Sequence, residues 1–207
     1  MAVARALGWL ARLISGARVR WIGSRPEAHQ RIYFANHTSH LDFVVVWASL
    51  PVQIRFSVRP VAARDYWTQS RWHLYFTEKV FRAVLINRAP DLERDGFRAG
   101  EAVIDQMVEA MGERDSLLVF PEGTRGGGQQ VGAFKGGLYH LCLRKPDVEL
   151  VPVYLENLNR ILPKGEVLPV PILSSVTFGP AISLETNESK RAFLERARAA
   201  VCALKEA

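Results

Sequence analysis

Residues 31–50 read RIYFANHTSHLDFVVVWASL: an apolar strand and an apolar helix joined without glycine or proline. In place of an ordinary turn stand Asn36, His37, Thr38, Ser39, His40 and Asp42. A polar connection between two buried elements is where a rigid scaffold carries function. The strand-then-helix order points to an α/β fold.

The pattern continues outward from this unit. Short apolar runs at 54–62, 83–87, 116–120, 149–155 and 174–178 predict further strands beside 31–35. Segments 41–50, 66–81, 92–111, 134–144 and 189–205 read as helices. Within the third of these, Val103, Ile104, Met107, Val108 and Met111 form a stripe at helical spacing, expected to pack in the core. The alternation predicts a single α/β domain whose central sheet, largely parallel or mixed, is flanked by helices. Ligands of such sheets bind beyond the carboxyl ends of the strands. The polar clusters 36–42, 87–89 and 121–125 all follow predicted strands.

At the start of the chain, Val3, Leu7, Leu10 and Ile14 make one apolar stripe of a helix, with Arg5 and Arg12 opposite and Trp9 on the border. Residues 1–22 are therefore expected to form an amphipathic N-terminal helix on a membrane surface. A helix packed on the domain itself has the same pattern. Residues 23–207 make up the remaining domain.

The 207 residues are 48% hydrophobic and carry a formal charge of +6, which suits an anionic partner: nucleic acid, a lipid surface or a phosphorylated substrate. No mainly apolar run reaches the roughly 20 residues that span a bilayer. Cys142 and Cys202 lie in apolar helical surroundings and no secretory signal precedes the domain, so a reducing cytosolic compartment is expected. Residues 126–128, three glycines, are expected to form a mobile loop near the site.

His37 and Asp42 are separated by about 140° on a continuous helix and would face different ways. If His37 sits in the connection and Asp42 in the first turn, the chain can fold back and the carboxylate can accept from the imidazole. A carboxylate so placed fixes the tautomer and stabilises the imidazolium, which makes His37 a candidate general base. Ser39 and Asp42 also fit a capping box, a structural account of the same aspartate. The two roles are compatible because a carboxylate accepts several bonds.

The stretch SLLVFPEGTR, 116–125, ends a buried strand in Glu122, Gly123, Thr124 and Arg125. Arg125 can hold a phosphate through parallel hydrogen bonds, with the Thr124 hydroxyl as a further donor. Glu122 could hold that arginine or receive a substrate hydroxyl; a plain surface Glu/Arg pair is the bland alternative. AFKGGLYHL, 133–141, is expected to open a helix with Lys135 in its first turn, where free N–H groups favour an anion. Arg88 would bring another cation to the same sheet edge.

In order along the chain, Asn36-His37 with Asp42, Ile86-Asn87-Arg88, Phe120-Pro121-Glu122-Gly123-Thr124-Arg125 and Val151-Pro152-Val153 resemble the four blocks of the glycerolipid acyltransferases, most closely the bacterial 1-acyl-glycerol-3-phosphate (lysophosphatidic acid) acyltransferases. The likeness runs from about Val19 to the last helix. It implies that 23–207 is a catalytic domain transferring an acyl group from acyl-CoA or acyl carrier protein to the free hydroxyl of a lysophospholipid, with no cofactor and no metal. It further implies that His37 deprotonates the hydroxyl and Asp42 orients His37. Arg88, Glu122, Gly123 and Arg125 would hold the acceptor's phosphate and glycerol, beside the anion-binding groups Thr124 and Lys135 read above. The implied location is peripheral, on the cytoplasmic face of the cell membrane. Two departures concern the acceptor: Asn87 stands where an aspartate is frequent, and Arg82-Ala83 where glycines are frequent.

Direct attack is the expected mechanism, since there is no G-x-S-x-G elbow and neither cysteine has a sequence-adjacent partner. One competing enzyme class is a metal-dependent hydrolase using His37, His40 and Asp42, although His29, His73 and His140 are scattered. A non-enzymatic membrane- or nucleic-acid-binding protein would suit the charge but leaves NHTSHLD and PEGTR unexplained together. Nucleic acid is not an expected partner.

Overall fold

The structure, a computed structural model, describes residues 16–39, 42–67, 74–87, 93–158 and 174–206. Its strands are β1 (Arg18–Trp21), β2 (Arg31–Ala35), β3 (Val58–Ala63), β4 (Val84–Ile86), β5 (Ser116–Val119), β6 (Glu149–Glu156) and β7 (Ser175–Phe178). Its helices are α1 (Asp42–Ser49), α2 (Val52–Arg55), α3 (Arg64–Trp67), α4 (Glu93–Met111), α5 (Gly137–Arg144) and α6 (Lys190–Ala203), with a π-helical turn at Phe76–Val80.

The strands form one seven-stranded sheet in the order β1-β7-β6-β2-β5-β3-β4. From β6 to β4 every pairing is parallel, while β6 and β7 pair antiparallel and β7 and β1 parallel. The sheet is therefore mixed. Its parallel block brings the carboxyl ends of β2, β3, β4, β5 and β6 to one edge. β2 lies at the centre, between β5 and β6, so whatever follows Ala35 emerges in the middle of that edge.

Period-two alternation sorts the strand side chains onto two faces. Tyr33, Ala35, Leu118, Val151, Val153 and Leu155 meet Phe43, Val46 and Trp47 of α1 on one face. Ile32, Phe34, Leu117, Val119 and Leu150 meet Ile104, Met107 and Met111 of α4, Leu138 and Leu141 of α5, and Phe193, Ala197 and Val201 of α6 on the other. The helical stripe read in α4 is thus core. Cys142 packs in the same layer, and burial raises its thiol pKa to about 12. Thiolate chemistry at neutral pH is closed to it.

Several expected elements differ. Residues 1–15, most of the expected 1–22 helix, lie outside the described residues, and Arg18–Trp21 is a strand. Its Val19 and Trp21 face the core with period two, Trp21 stacks on Phe178 at 4.0 Å, and Arg20 Nη2 donates to Thr177 Oγ1 at 3.1 Å. The strand expected over 54–62 starts only at Val58. Pro51 opens the short helix α2 before it, accepting from the N–H groups of Ile54 and Arg55. Arg55 is buried because its guanidinium closes the end of α1, donating to Leu50 O at 3.1 and 2.8 Å and to Ala48 O at 2.6 Å. The helix expected over 66–81 is represented by α3 and the π-helical turn, with 68–73 outside the described residues.

At the start of α6, Ser189 accepts from Ala192 N–H at 3.2 Å, as an N-cap does. Ser189→Ala should lower stability by about 1 kcal/mol, read as a shifted denaturant midpoint at unchanged slope. Among the described residues, no helix is long and apolar enough to cross a membrane.

Candidate active site

The connection after β2 folds back on itself, as a base–carboxylate pair requires. Asp42 is fully buried, and its Oδ2 accepts from His37 Nδ1 at 2.8 Å, Thr38 N–H at 2.5 Å and Ser39 N–H at 2.9 Å. The Ser39 bond is the backward half of a capping box, and Asp42 N–H completes the turn by donating to Ser39 O at 3.2 Å. One carboxylate oxygen therefore caps the helix and orients the histidine together. Because the carboxylate only accepts, the proton of the neutral imidazole sits on Nδ1, and Nε2 keeps its lone pair.

The His37 ring is held from other sides as well. It stacks on Phe120 with centroids 4.4 Å apart and planes 25° from parallel. Its side chain remains 22% exposed.

The segment after β5 fixes the His37 backbone. His37 N–H donates to Glu122 Oε1 at 2.8 Å, and Gly126 N–H donates to His37 O at 2.9 Å. Glu122 Oε2 accepts from Gly132 N–H at 2.9 Å. Glu122 is buried, with one backbone amide on each of its oxygens, and among the described residues it makes no contact with Arg125. The glycine run, expected as a mobile loop, is anchored at Gly126 through the His37 carbonyl. On the other side, Asn36 joins β2 to β6: its Nδ2 donates to Leu155 O at 2.9 Å and its Oδ1 accepts from Leu155 N–H at 2.7 Å.

Gly123 has φ +71°, a conformation that favours glycine, and a Cβ there would come within 2.9 Å of Lys135 Cδ and Cε. The Lys135 side chain thus lies across Gly123, while Lys135 N–H donates to Pro121 O at 2.8 Å. Lys135 precedes α5, which begins at Gly137, so the expected first-turn placement is corrected. The two glycines 136 and 137 move the helix start past it. Gly123, Thr124, Arg125 and Lys135 are exposed at the sheet edge that carries His37. Among the described residues, the side chains of Arg125 and Lys135 have no carboxylate partner, which leaves two cations available to an anion. Arg88 lies outside the described residues, and Asn87 before it is exposed at the end of β4.

His40 also lies outside the described residues, and among those described no group of three His, Cys, Asp or Glu side chains is arranged to hold a metal. Asp42 Oδ2 serves three donors.

This site and fold belong to a defined class. The Acyltransferase family model matches residues 17–156, and the chain belongs to that family. Among individual relatives, it is 28% identical over 183 residues to a 1-acyl-sn-glycerol-3-phosphate acyltransferase of Limnanthes alba, covering 86% of this chain and 59% of that protein. It is 28% identical over 152 residues to a protein named Taffazin from Dictyostelium discoideum, covering 68% of this chain and 49% of that one. The chain thus spans about half to three-fifths of these relatives' length. The crystal structure of the 1-acyl-sn-glycerophosphate (LPA) acyltransferase PlsC from Thermotoga maritima superposes over 99% of this chain and 78% of its own, with a TM-score of 0.70 at 18% identity, so the two share a fold.

Proposed function

We propose that this chain transfers a fatty acyl group from a thioester, acyl-CoA or acyl carrier protein, to the free hydroxyl of 1-acyl-glycerol-3-phosphate, giving phosphatidate. The observation that carries the reading is the buried Asp42 holding His37 Nδ1 at 2.8 Å, with the ring partly exposed at the sheet edge that also carries exposed Arg125 and Lys135. Nε2 accepts the hydroxyl proton as the oxygen attacks the thioester carbonyl. The tetrahedral intermediate then expels the thiolate, which takes the proton from Nε2, so the histidine returns neutral. Asp42 stabilises the imidazolium between these steps.

Arg125, Lys135, Thr124 and the Gly123 turn, together with Arg88, would receive the acceptor's phosphate and glycerol, and Glu122 would act by holding the His37 backbone. An arginine binds phosphate by charge-assisted paired bonds, each about 1.5–3 kcal/mol. Arg125→Ala should therefore raise the acceptor KM roughly tenfold or more while kcat changes far less. A variant with wild-type acceptor KM would remove Arg125 from the phosphate site.

The basic chain would act peripherally at the cytoplasmic face of the cell membrane, where its lipid acceptor resides. Direct attack requires both substrates together, so initial rates over a grid of donor and acceptor concentrations should give intersecting double-reciprocal lines. Parallel lines would signal an acyl-enzyme and contradict the mechanism. Exposed Asn87 and the Taffazin relative motivate an acceptor panel extending to other lysolipids. Faster turnover of one of those would revise the acceptor and keep the chemistry.

A further inference from the structure

The contacts around Glu122 lead beyond the motif blocks, to the last helix. Glu122 fixes His37 only if its other oxygen is fixed, and that oxygen is held by Gly132 N–H at 2.9 Å. Gly132 lies in an irregular segment between the turn after β5 and the start of α5. What holds its peptide is Arg198 of α6. The Arg198 Nε donates to Val131 O at 2.9 Å and Gly132 O at 3.1 Å, and Nη2 donates to Val131 O at 2.7 Å. The helix beneath it is rigidly seated, with Ala197 and Val201 wholly buried against the sheet.

We infer that Arg198 is a positioning residue for His37, acting through the Val131 and Gly132 carbonyls, the Gly132 amide and the Glu122 carboxylate. The inference rests on reading His37 as the base. The relay tolerates little slack at Gly132, where a Cβ would stand 2.7 Å from Glu122 Oε2. Arg198 Nε spans both carbonyls and Nη2 gives Val131 O a second bond, so the planar guanidinium ties this peptide at two points. Among the described residues, the Arg198 hydrogen bonds go to the Val131 and Gly132 carbonyls and to none of the groups proposed to hold the acceptor, so its loss should act on the placement of Nε2 and hence on turnover. A displacement of about 1 Å can cost as much as 100-fold in rate.

Arg198 also lines a cleft of about 140 Å³ with Thr38, Tyr154 and Lys205. Truncation of its side chain therefore leaves a space that a guanidinium ion can enter.

The test compares Arg198→Ala, Arg198→Lys and Arg196→Ala with the wild-type chain. Arg196 lies on the same helix but pairs with Glu188 at 2.6 Å and is the control. Two readouts are taken: steady-state kinetics with and without guanidinium chloride at non-denaturing concentration, and amide hydrogen exchange. Arg198→Ala should lose about tenfold in kcat with both KM values changed less than twofold, and guanidinium should recover most of it. Exchange at His37, Gly126 and Gly132 should quicken while that of β2 and β5 stays unchanged. Arg198→Lys, which keeps the charge and stem without the fork, should fall between, and it carries the same readouts if the alanine variant does not fold. Arg196→Ala should match wild type. Unchanged exchange at Gly132 and His37 in a folded Arg198 variant, or a kcat loss that guanidinium does not touch and Arg196→Ala shares, would overturn the inference. The exchange readout needs no substrate, so a chain inactive on every acceptor would defeat the proposed function while leaving the relay to be judged separately.

Discussion

Replacing His37 by glutamine should lower kcat/KM for acyl transfer by about 1,000-fold, within the range of 10²–10⁴ that positioned acid–base groups contribute. Glutamine keeps comparable bulk against Phe120 and a polar group toward Asp42 but cannot take the hydroxyl proton. Its effect on stability should be small, about 1 kcal/mol, because one hydrogen bond at a partly exposed ring is exchanged for another. The two readings therefore separate: a thermal melt close to wild type with activity nearly abolished identifies the base. The same chemistry sets the sign of the pH dependence. Nε2 must be unprotonated to accept, so kcat/KM should fall about tenfold per pH unit on the acid side of the profile. A folded His37→Gln protein with wild-type activity would leave the base elsewhere.

The second large effect is expected at Asp42, where two substitutions give different results for a reason visible in the geometry. Oδ2 serves His37 Nδ1, Thr38 N–H and Ser39 N–H together. In Asp42→Asn the amide oxygen should occupy that place, since two backbone donors face it. The cap and the tautomer survive and the negative charge is lost. Turnover should then fall about 100-fold, from a less stabilised imidazolium, with only a modest change in melting. Asp42→Ala removes the acceptor as well, leaving two backbone N–H groups unpaired in the interior at about 1–3 kcal/mol each. It should be both inactive and clearly less stable. Wild-type turnover in Asp42→Asn would reduce the aspartate to a helix cap.

Much of this site could be read before any coordinates. The strand, polar connection and helix of 31–50 declare themselves through apolar runs, and their junction is polar because a buried carboxylate must find donors. The meeting of the clusters at one edge follows from parallel pairing, itself suggested by strand–helix alternation. Other features were hidden for identifiable reasons. Arg18–Trp21 was submerged in the helical stripe preceding it, because four residues are too few to display their own period. The reversal of β7 depends on which neighbour it pairs with, and local pattern does not encode that. Arg55 looked like part of a strand because its buried guanidinium is satisfied by carbonyls at the end of the preceding helix. Glu122 and Arg125 are close in sequence and opposite in charge, and that proximity suggested a pair. Instead the buried carboxylate turns to amides far along the chain, at His37 and Gly132. Arg198 carries no motif, and only the packing of the last helix against the sheet brings it to the loop.

Acceptor-dependent product formation tests most directly whether this chain transfers an acyl group to lysophosphatidate with His37 as base. Purified chain is given acyl-CoA or acyl carrier protein, with and without lysophosphatidate in vesicles, thiol release is followed, and the lipid is identified by mass. Phosphatidate should form in step with released thiol, depend on the acceptor and be lost in folded His37→Gln. Thiol release that ignores the acceptor, or product undiminished in that variant, would contradict this reading.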